Sequence, residues 1–259
     1  MESNINKYQS IDMFRSNYTW TIKETEKSIF HLDSYCATDK DIPKIIDGTL
    51  NRYQAIADIL CFDLHSTKAN EKRLKHNYWF FGPQLITDIG MAGNADLKGF
   101  GSVSASGIDY VVNNDRWSNH TDKIHHEEVH LLVKYELGEA PPLFNEGIAT
   151  YVEYLIYKNK DEFRKLYSDA WKNHMTANAG RLQKLMATDY FWSNFGKLPL
   201  YTIGAACVYY IVERYGVNLL KDIFEKTHYQ DDAFGSVVES KTRLSIDSLE
   251  TEITKFFLE

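Results

Sequence analysis

Short apolar runs and one amphipathic helical pattern make up the first part of the chain. Apolar residues between positions 20 and 32 flank a polar stretch and predict two short strands or one hairpin. Residues 42–60 carry apolar side chains at helical spacing, and Asp39 or Asp41 followed by a proline predicts the start of that helix. The dense aromatic run at residues 77–81 predicts a buried strand.

Glycine interrupts the pattern in the next segment. Residues 83–88 predict a short helix, and five glycines between residues 90 and 107 predict a loop that leads into a strand at 108–112. These glycines match neither of the glycine-rich patterns that bind phosphate, so they do not predict a nucleotide site. We expect the strand around 101–112 to form the edge of a sheet. An extended peptide can add itself to such an edge by main-chain hydrogen bonds, or the strand can simply complete the sheet.

From residue 138 onward the pattern is almost entirely helical. The predicted helices cover residues 142–158, 161–176, 179–188, 201–215, 217–227 and 245–257. The order of elements therefore predicts an α+β fold, with an N-terminal mixed sheet lobe that includes helices and a mainly helical C-terminal lobe. We expect the α/β lobe, with its edge strand, at residues 1–119 and the helical lobe at residues 120–259, and we expect the two to act as one unit.

Charge and composition exclude several classes of partner. The 29 basic and 36 acidic residues give a formal net charge of −7, which argues against nucleic acid, because phosphate binding needs a basic face. The sequence contains no apolar run of about 18 residues and so predicts no membrane-spanning helix. The first thirty residues lack the apolar core of a signal peptide. This indicates the cytoplasm if Met1 is the native start, and secretion is the alternative if a signal was removed. Cys36, Cys61 and Cys207 are widely scattered, which predicts free and mostly buried thiols.

The segment His126-Glu127-Glu128-Val129-His130 carries the candidate chemistry. Two histidines four residues apart project from one face of a helix, one turn apart, close enough to bind one cation. Glu127 stands beside the first histidine, where its carboxylate can take a proton from a water on the metal. The pattern predicts a helix from Thr121 or Asp122 to a stop at Gly138. The alternative is an ordinary helix whose two histidines bind no metal.

An acidic residue follows where a third ligand is needed. Glu146 lies 16 residues after His130, near the start of the next predicted helix. A tight turn at residues 137–142 would bring the returning helix, and Glu146 with it, back beside the histidines. Zinc held by two histidines and one glutamate keeps a fourth position open for water, which is the catalytic arrangement. The sequence therefore predicts one zinc ion per chain, held by His126, His130 and Glu146.

The residues around Glu146 resemble those of a known family of zinc peptidases. The run 145–154, Asn-Glu-Gly-Ile-Ala-Thr-Tyr-Val-Glu-Tyr, looks like the third-ligand helix of the gluzincin metallopeptidases. It is most similar to the aminopeptidase-N-like branch and its smaller peptidase-MA-like relatives. A second match, Tyr201-Thr202-Ile203-Gly204-Ala205, resembles that branch's Tyr-x-x-Gly-Ala segment. The resemblance covers residues 70–259 and implies a thermolysin-like zincin catalytic domain.

The resemblance also implies zinc-dependent hydrolysis of peptide bonds. Glu127 would activate the zinc-bound water and then protonate the leaving amine, and the hydroxyl of Tyr201 would assist the oxyanion. One family segment is missing, the Gly-Ala-Met-Glu-Asn strand that holds a substrate's free amino terminus. Residues 99–106, Gly-Phe-Gly-Ser-Val-Ser-Ala-Ser, stand in its place. We therefore expect an endopeptidase or oligopeptidase that acts on peptides or unfolded protein, with an aminopeptidase as the alternative.

Several neighbouring residues and two other function classes stay open. Thr150 and Glu153 lie on the same helical face as Glu146 and are candidates to orient a ligand histidine, with a capping or surface contact as the alternative. His125 and Glu128 point away from the metal face, which predicts contacts with solvent or loops.

Two other classes of function stay open. One is a catalytically silent zincin-fold binding protein, and the other is a zinc hydrolase of a non-peptide bond.

Overall fold

The fold combines a small sheet with a set of helices. The computed structural model describes residues 20–26, 28–33, 42–65, 76–81, 99–104, 107–113, 121–157, 160–176, 180–227 and 233–258, with the backbone alone for the strands at 76–81, 99–104 and 107–113. Within these ranges five strands precede nine of the ten helices. These are the elements of an α+β fold, as the sequence pattern predicts.

The five strands form one mixed sheet. They are β1 (Trp20–Glu24), β2 (Ser28–Asp33), β3 (His76–Phe81), β4 (Gly99–Ser104) and β5 (Gly107–Asn113). Their spatial order is β1-β2-β3-β5-β4. The two outer pairs, β1 with β2 and β4 with β5, are antiparallel, whereas β2 with β3 and β3 with β5 are parallel.

The first hairpin is closed by Thr25 and Ser28. The Thr25 N–H donates to the Ser28 carbonyl at 2.8 Å, and the Ser28 N–H donates to the Thr25 hydroxyl oxygen at 3.0 Å. On β2, Phe30 and Leu32 are buried and contribute to the core. The predicted hairpin at residues 20–32 is therefore confirmed. The predicted strand at 77–81 is also confirmed as β3, while its predicted burial and the short helix at 83–88 lie outside the described residues.

The expected edge strand at 101–112 proves to be two strands. β4 and β5 pair in an antiparallel hairpin, and β5 lies inside the sheet between β3 and β4, so β4 is the last strand in the sheet order. Glycine lowers strand propensity, and the two glycines of β4 favoured a loop. The hydrogen bonds of β4 to β5 outweigh the preference of these glycines for a loop.

The first helix, α1 (Ile42–Ile59), confirms the predicted helix at 42–60. Its inward side chains recur every three or four residues, which is the spacing of one helical face. They are Ile42, Ile45, Thr49, Arg52 and Ile56. The helix ends in a turn where Cys61 adopts a left-handed backbone conformation (φ 52°) and the Phe62 N–H donates to the Ala57 carbonyl.

Nine helices follow the sheet in the described part of the chain. They are α2 (Thr121–Glu136), α3 (Pro142–Tyr157), α4 (Lys160–His174), α5 (Arg181–Met186), α6 (Thr188–Ser193), α7 (Leu200–Tyr215), α8 (Val217–Thr227), α9 (Phe234–Thr242) and α10 (Ile246–Leu258). The predicted helices at 142–158, 161–176, 201–215, 217–227 and 245–257 are confirmed to within a few residues. The helix predicted at 179–188 is shorter, and α6 and α9 were not predicted.

The two unpredicted helices have weak local signals. α9 reads Phe-Gly-Ser-Val-Val-Glu-Ser-Lys-Thr, in which glycine, serine and the branched valines all have low helix propensity. Tertiary packing holds it instead, because Phe234 is fully buried with its ring 4.3 Å from that of Phe144. α6 is six residues long and is anchored by buried Phe191.

Two polar contacts fasten the last helix onto α4. The indole N–H of Trp171 donates to the Thr254 hydroxyl at 2.9 Å, and the Ser168 hydroxyl donates to the Phe257 carbonyl at 3.0 Å. Trp171 is fully buried, so its indole N–H needs a partner inside the protein. These bonds fix α10 along α4 beside the aromatic core of the helical region.

The chain divides into two compact units. One contains residues 1–55 and 64–131, and the other contains residues 56–63 and 132–259, so the division falls within α1 and α2.

Among the described helices, none is long and apolar enough to cross a membrane.

Helices α3 and α7 cross with their backbones in contact. A Cβ atom on Gly147 of α3 would lie 2.5 Å from the carbonyl carbon of Gly204 on α7. A Cβ atom on Gly204 would overlap the carbonyl oxygen of Leu143 and lie 3.0 Å from the Cα of Gly147. Both positions therefore require glycine for lack of space, since neither has a positive φ angle.

The close crossing predicts that Gly204 tolerates no side chain. We expect Gly204→Ala to lower the free energy of unfolding by about 3 kcal/mol, because the added methyl group meets backbone atoms that cannot rotate away. Gly235→Ala is the matched control. Gly235 is also helical, but its Cβ would meet only the Ile246 side chain, at 3.5 Å. There we expect a gain of about 0.5–1 kcal/mol from helix propensity. Denaturant unfolding measures both variants, and equal effects would contradict the close crossing.

Candidate metal centre

A tight turn joins the two helices that carry the candidate ligands. α2 ends at Glu136, and the turn that follows contains Gly138, whose φ of 110° is a conformation that favours glycine. The N–H groups of Leu137 and Gly138 both donate to the Val133 carbonyl. α3 then begins at Pro142, which suits a first helical position because it lacks an N–H group. The predicted turn and the predicted helix from residue 121 are confirmed.

Asn145 clamps this turn from the first turn of α3. Its side-chain carbonyl accepts a hydrogen bond from the Ala140 N–H at 3.0 Å, and its amide donates to the Ala140 carbonyl at 2.7 Å. One side chain thus satisfies both polar groups of a residue inside the turn. Because Glu146 is the next residue, these two hydrogen bonds also hold the backbone of Glu146 in place relative to the turn.

The structure brings His126, His130 and Glu146 together. The two Nε2 atoms of the histidines are 3.2 Å apart, and their rings are nearly perpendicular. One ligand atom from each of the three residues lies within 4.8 Å of the other two. All three side chains are half-buried, so this group is accessible from solvent.

The donor set and its spacing fit zinc. Nitrogen atoms bound to zinc at about 2.0–2.1 Å with tetrahedral angles lie about 3.3 Å apart, close to the observed histidine separation. Two imidazoles and one carboxylate are the donors of a catalytic zinc site with one open position. Within the described ranges, no other group of three or more histidine, cysteine or acidic side chains is suited to holding a metal ion.

Glu127, the predicted base, belongs to α2, but its side chain lies outside the described residues, as does that of His125. Their predicted roles therefore stay predictions. The other predicted catalytic residue, Tyr201, is half-buried in the first turn of α7. Its ring centroid is 5.6 Å from that of Phe195. Tyr201 precedes Gly204 by three residues, so the backbone crossing with Gly147 lies less than one turn away from it.

The prediction that Glu128 contacts solvent or loops is wrong. Glu128 is only 2% exposed, and its Oε2 accepts a hydrogen bond from the Nε of Arg52 at 3.3 Å. Arg52 in turn donates from Nη2 to the Thr49 hydroxyl at 2.9 Å. Glu128 does point away from the metal face, because two residues along a helix correspond to about 200° of rotation. That direction is occupied by α1, which local sequence could not indicate.

The two other acidic and hydroxyl candidates on α3 have different surroundings. Thr150 is buried, and its hydroxyl has no hydrogen-bond partner among the residues that the structure describes. Glu153 is half-buried and lies near Tyr154. Burial is the main cause that raises the pKa of Tyr154, and the Glu153 carboxylate raises it further, while a hydrogen bond with Thr202 lowers it. Orientation of a ligand histidine by Thr150 or Glu153 stays a prediction.

Two of the three cysteines are described, and both are free thiols. Cys207 is buried in α7, and burial raises the pKa of its thiol well above the usual value. Cys61 is exposed, so of the two described thiols only Cys207 is buried as expected. Cys36 lies outside the described residues. Neither described thiol belongs to the metal-binding group.

Comparisons with known proteins give weak similarities only. The chain matches no protein-family model and no curated protein. Among solved structures, it is similar to a two-domain M1 zinc metallopeptidase variant bound to L-arginine, with a TM-score of 0.48 and 9% identity over 93% of this chain. It is also similar to such a variant bound to L-tryptophan, with a TM-score of 0.46 and 10% identity over 91% of this chain. The chain covers 51% of each of these structures. Likeness at this level does not establish a shared activity.

Removal of the third carboxylate tests the metal centre. We expect Glu146→Ala to bind zinc at least about 100-fold more weakly than the wild type, because two histidines alone leave the ion poorly held. Glu153→Ala is the matched control, since it removes a carboxylate from the same helical face seven residues later. Metal analysis after dialysis against a weak chelator measures both variants. Unchanged zinc retention in Glu146→Ala, with loss in Glu153→Ala, would transfer the ligand role to Glu153.

Proposed function

We propose that this protein is a zinc-dependent hydrolase of peptide bonds. The observation that carries the proposal is the approach of ligand atoms of His126 and His130 on α2 and Glu146 on α3 to within 4.8 Å of one another. These residues would hold the zinc ion through two ring nitrogens and one carboxylate. When bound, zinc polarises the scissile carbonyl and makes water a better nucleophile near neutral pH.

The protein's own side chains supply the proton transfers and the charge stabilisation. Glu127 accepts the proton of the attacking water and then donates it to the leaving amine, so that it acts as general base and then as general acid. The Tyr201 hydroxyl donates a hydrogen bond to the oxyanion that develops on the substrate carbonyl. A tyrosine suits this role because its hydroxyl keeps its proton at neutral pH.

The surrounding structure supports these roles by fixing the elements that carry them. The Asn145 clamp holds the start of α3, and the contact between Gly147 and Gly204 joins α3 to the helix of Tyr201. A catalytic group needs to be held within a fraction of an ångström of its productive position. Backbone contact between helices meets that need better than contact through flexible side chains.

A single isosteric change separates metal binding from catalysis. We expect Glu127→Gln to keep the zinc ion and the fold but to lower kcat at least about 100-fold, because an amide cannot accept the proton of water. Peptide hydrolysis followed by mass spectrometry, with zinc content measured on the same sample, makes the test. Activity near that of the wild type, with zinc present, would refute Glu127 as the base. A wild type that binds zinc but cleaves no peptide would favour the silent binding protein.

We further propose internal cleavage over removal of amino-terminal residues. A buried ammonium group without a partner is costly, so an aminopeptidase needs an acidic residue close to the metal. The sequence from 99 to 107, which includes β4 and the first residue of β5, contains no acidic residue. Among the described strands, β4 is also one of the two outermost in the sheet, with β1 at the other edge, and an extended peptide can pair along such a strand.

Acetylation of the substrate's amino terminus distinguishes the two modes. For a peptide that the protein cleaves, we expect the acetylated form to be cleaved at the same internal bond with kcat/KM changed by less than about threefold, because no contact to the amine is lost. A known aminopeptidase assayed on the same pair serves as the control. Complete protection by acetylation would show that the protein is an aminopeptidase.

A further inference from the structure

Exposed aromatic side chains are concentrated in one short stretch before α7. Seven large apolar side chains are well exposed in the described part of the chain, and three of them fall within residues 190–195. These three are Tyr190, Trp192 and Phe195, at 38%, 44% and 49% exposed, and together we call them the aromatic ledge. The other four are scattered over separate elements, as single exposed apolar residues normally are.

The aromatic ledge stands on an ordered base. Phe191 is fully buried beneath it, and the Trp192 ring packs against both Phe191 and Phe195, with centroids 5.0 and 5.5 Å away. The turn that follows is closed by backbone bonds and by the Asn194 amide, which donates to the Tyr190 carbonyl at 2.8 Å. The rings of Trp192 and Phe195 are thus packed against each other, and that of Trp192 also against buried Phe191.

The ledge is continuous with the candidate catalytic machinery. The ring of Phe195 lies 5.6 Å from that of Tyr201, in a tilted contact. Tyr201 is in the same turn of α7 as Gly204, and Gly204 touches Gly147, the residue next to Glu146. The ring contact, one turn of α7 and the glycine contact therefore link the exposed rings to the chain next to the third candidate ligand, all within the unit that contains residues 132–259.

We propose that the aromatic ledge binds a large apolar side chain of the peptide substrate, next to the bond that is cleaved. This inference rests on the proposed function, because it places the ledge beside a working catalytic site. Phe195 contacts the substrate side chain nearest Tyr201, and Trp192 extends the apolar surface outward. Apolar area removed from water gives the preference its driving force, and aromatic rings add favourable stacking geometry. The preferred substrates are peptides and unfolded segments with aromatic or large aliphatic residues at the cleavage position.

The test compares zinc-loaded wild type with Phe195→Ala and Trp192→Ala on matched peptides. Each peptide pair differs at one residue flanking the cleaved bond, phenylalanine in one and serine in the other, placed in turn on either side. We expect the wild type to prefer phenylalanine by about tenfold or more in kcat/KM on one side. Each variant should lose most of that preference, and Phe195→Leu should restore part of it. Leu258→Ala removes another exposed apolar side chain and should leave the preference unchanged.

The possible results are distinguishable. A preference that is unchanged in both ledge variants, with zinc content and cleavage normal, overturns the ledge and leaves the proposed function intact. An equal loss on both peptides indicates a structural role and also overturns it. If the wild type is a dimer by light scattering and the ledge variants are monomers of unaltered preference, the surface is an interface between copies and not a substrate site. A wild type that holds zinc but cleaves no peptide overturns the proposed function and the ledge together.

Discussion

The contact between Gly147 and Gly204 is the constraint on which the candidate site depends. It lets α3 and α7 approach until backbone meets backbone, with no side chain between them. Glu146 is adjacent to one of these glycines, and Tyr201 precedes the other by three residues, so the position of each is tied to the same crossing. Glycine at both positions weakens each helix on its own, since glycine has low helix propensity. The close packing that it permits offsets this cost.

A second constraint acts on the other side of α2. Glu128 sits between the two candidate histidines in sequence but faces α1, where Arg52 binds it. A buried ion pair adds little net stability, because both charges lose their hydration, but leaving either partner alone is strongly unfavourable. Rotation of α2 about its axis would separate the pair. The pair therefore fixes the rotation of α2 about its axis, so that the face with His126 and His130 points away from Arg52.

Sequence predicted the parts of this fold that depend on local spacing. The histidines four residues apart, the stop at Gly138 and the amphipathic helices all follow from periods that a short window contains. The partner of Glu128 and the role of Gly204 did not follow, because Arg52 is 76 residues away and the glycine contact joins two helices far apart in sequence. α9 was missed for the same reason, since Phe144 holds it from another helix. β4 was not predicted as a separate strand, because its glycines favour a loop and only the pairing with β5 makes it a strand.

The Asn145 clamp also bears on how sites of this kind are recognised in other sequences. The interval between His130 and Glu146 spans the end of α2, the turn and the start of α3, and the two hydrogen bonds of Asn145 tie the start of α3 to Ala140 in that turn. A homologue with a longer turn would keep the same three ligands at a different interval. A search for related proteins should therefore look for an asparagine directly before the glutamate, since its side chain can bind the backbone of the turn. The number of residues between the second histidine and the glutamate should be allowed to vary.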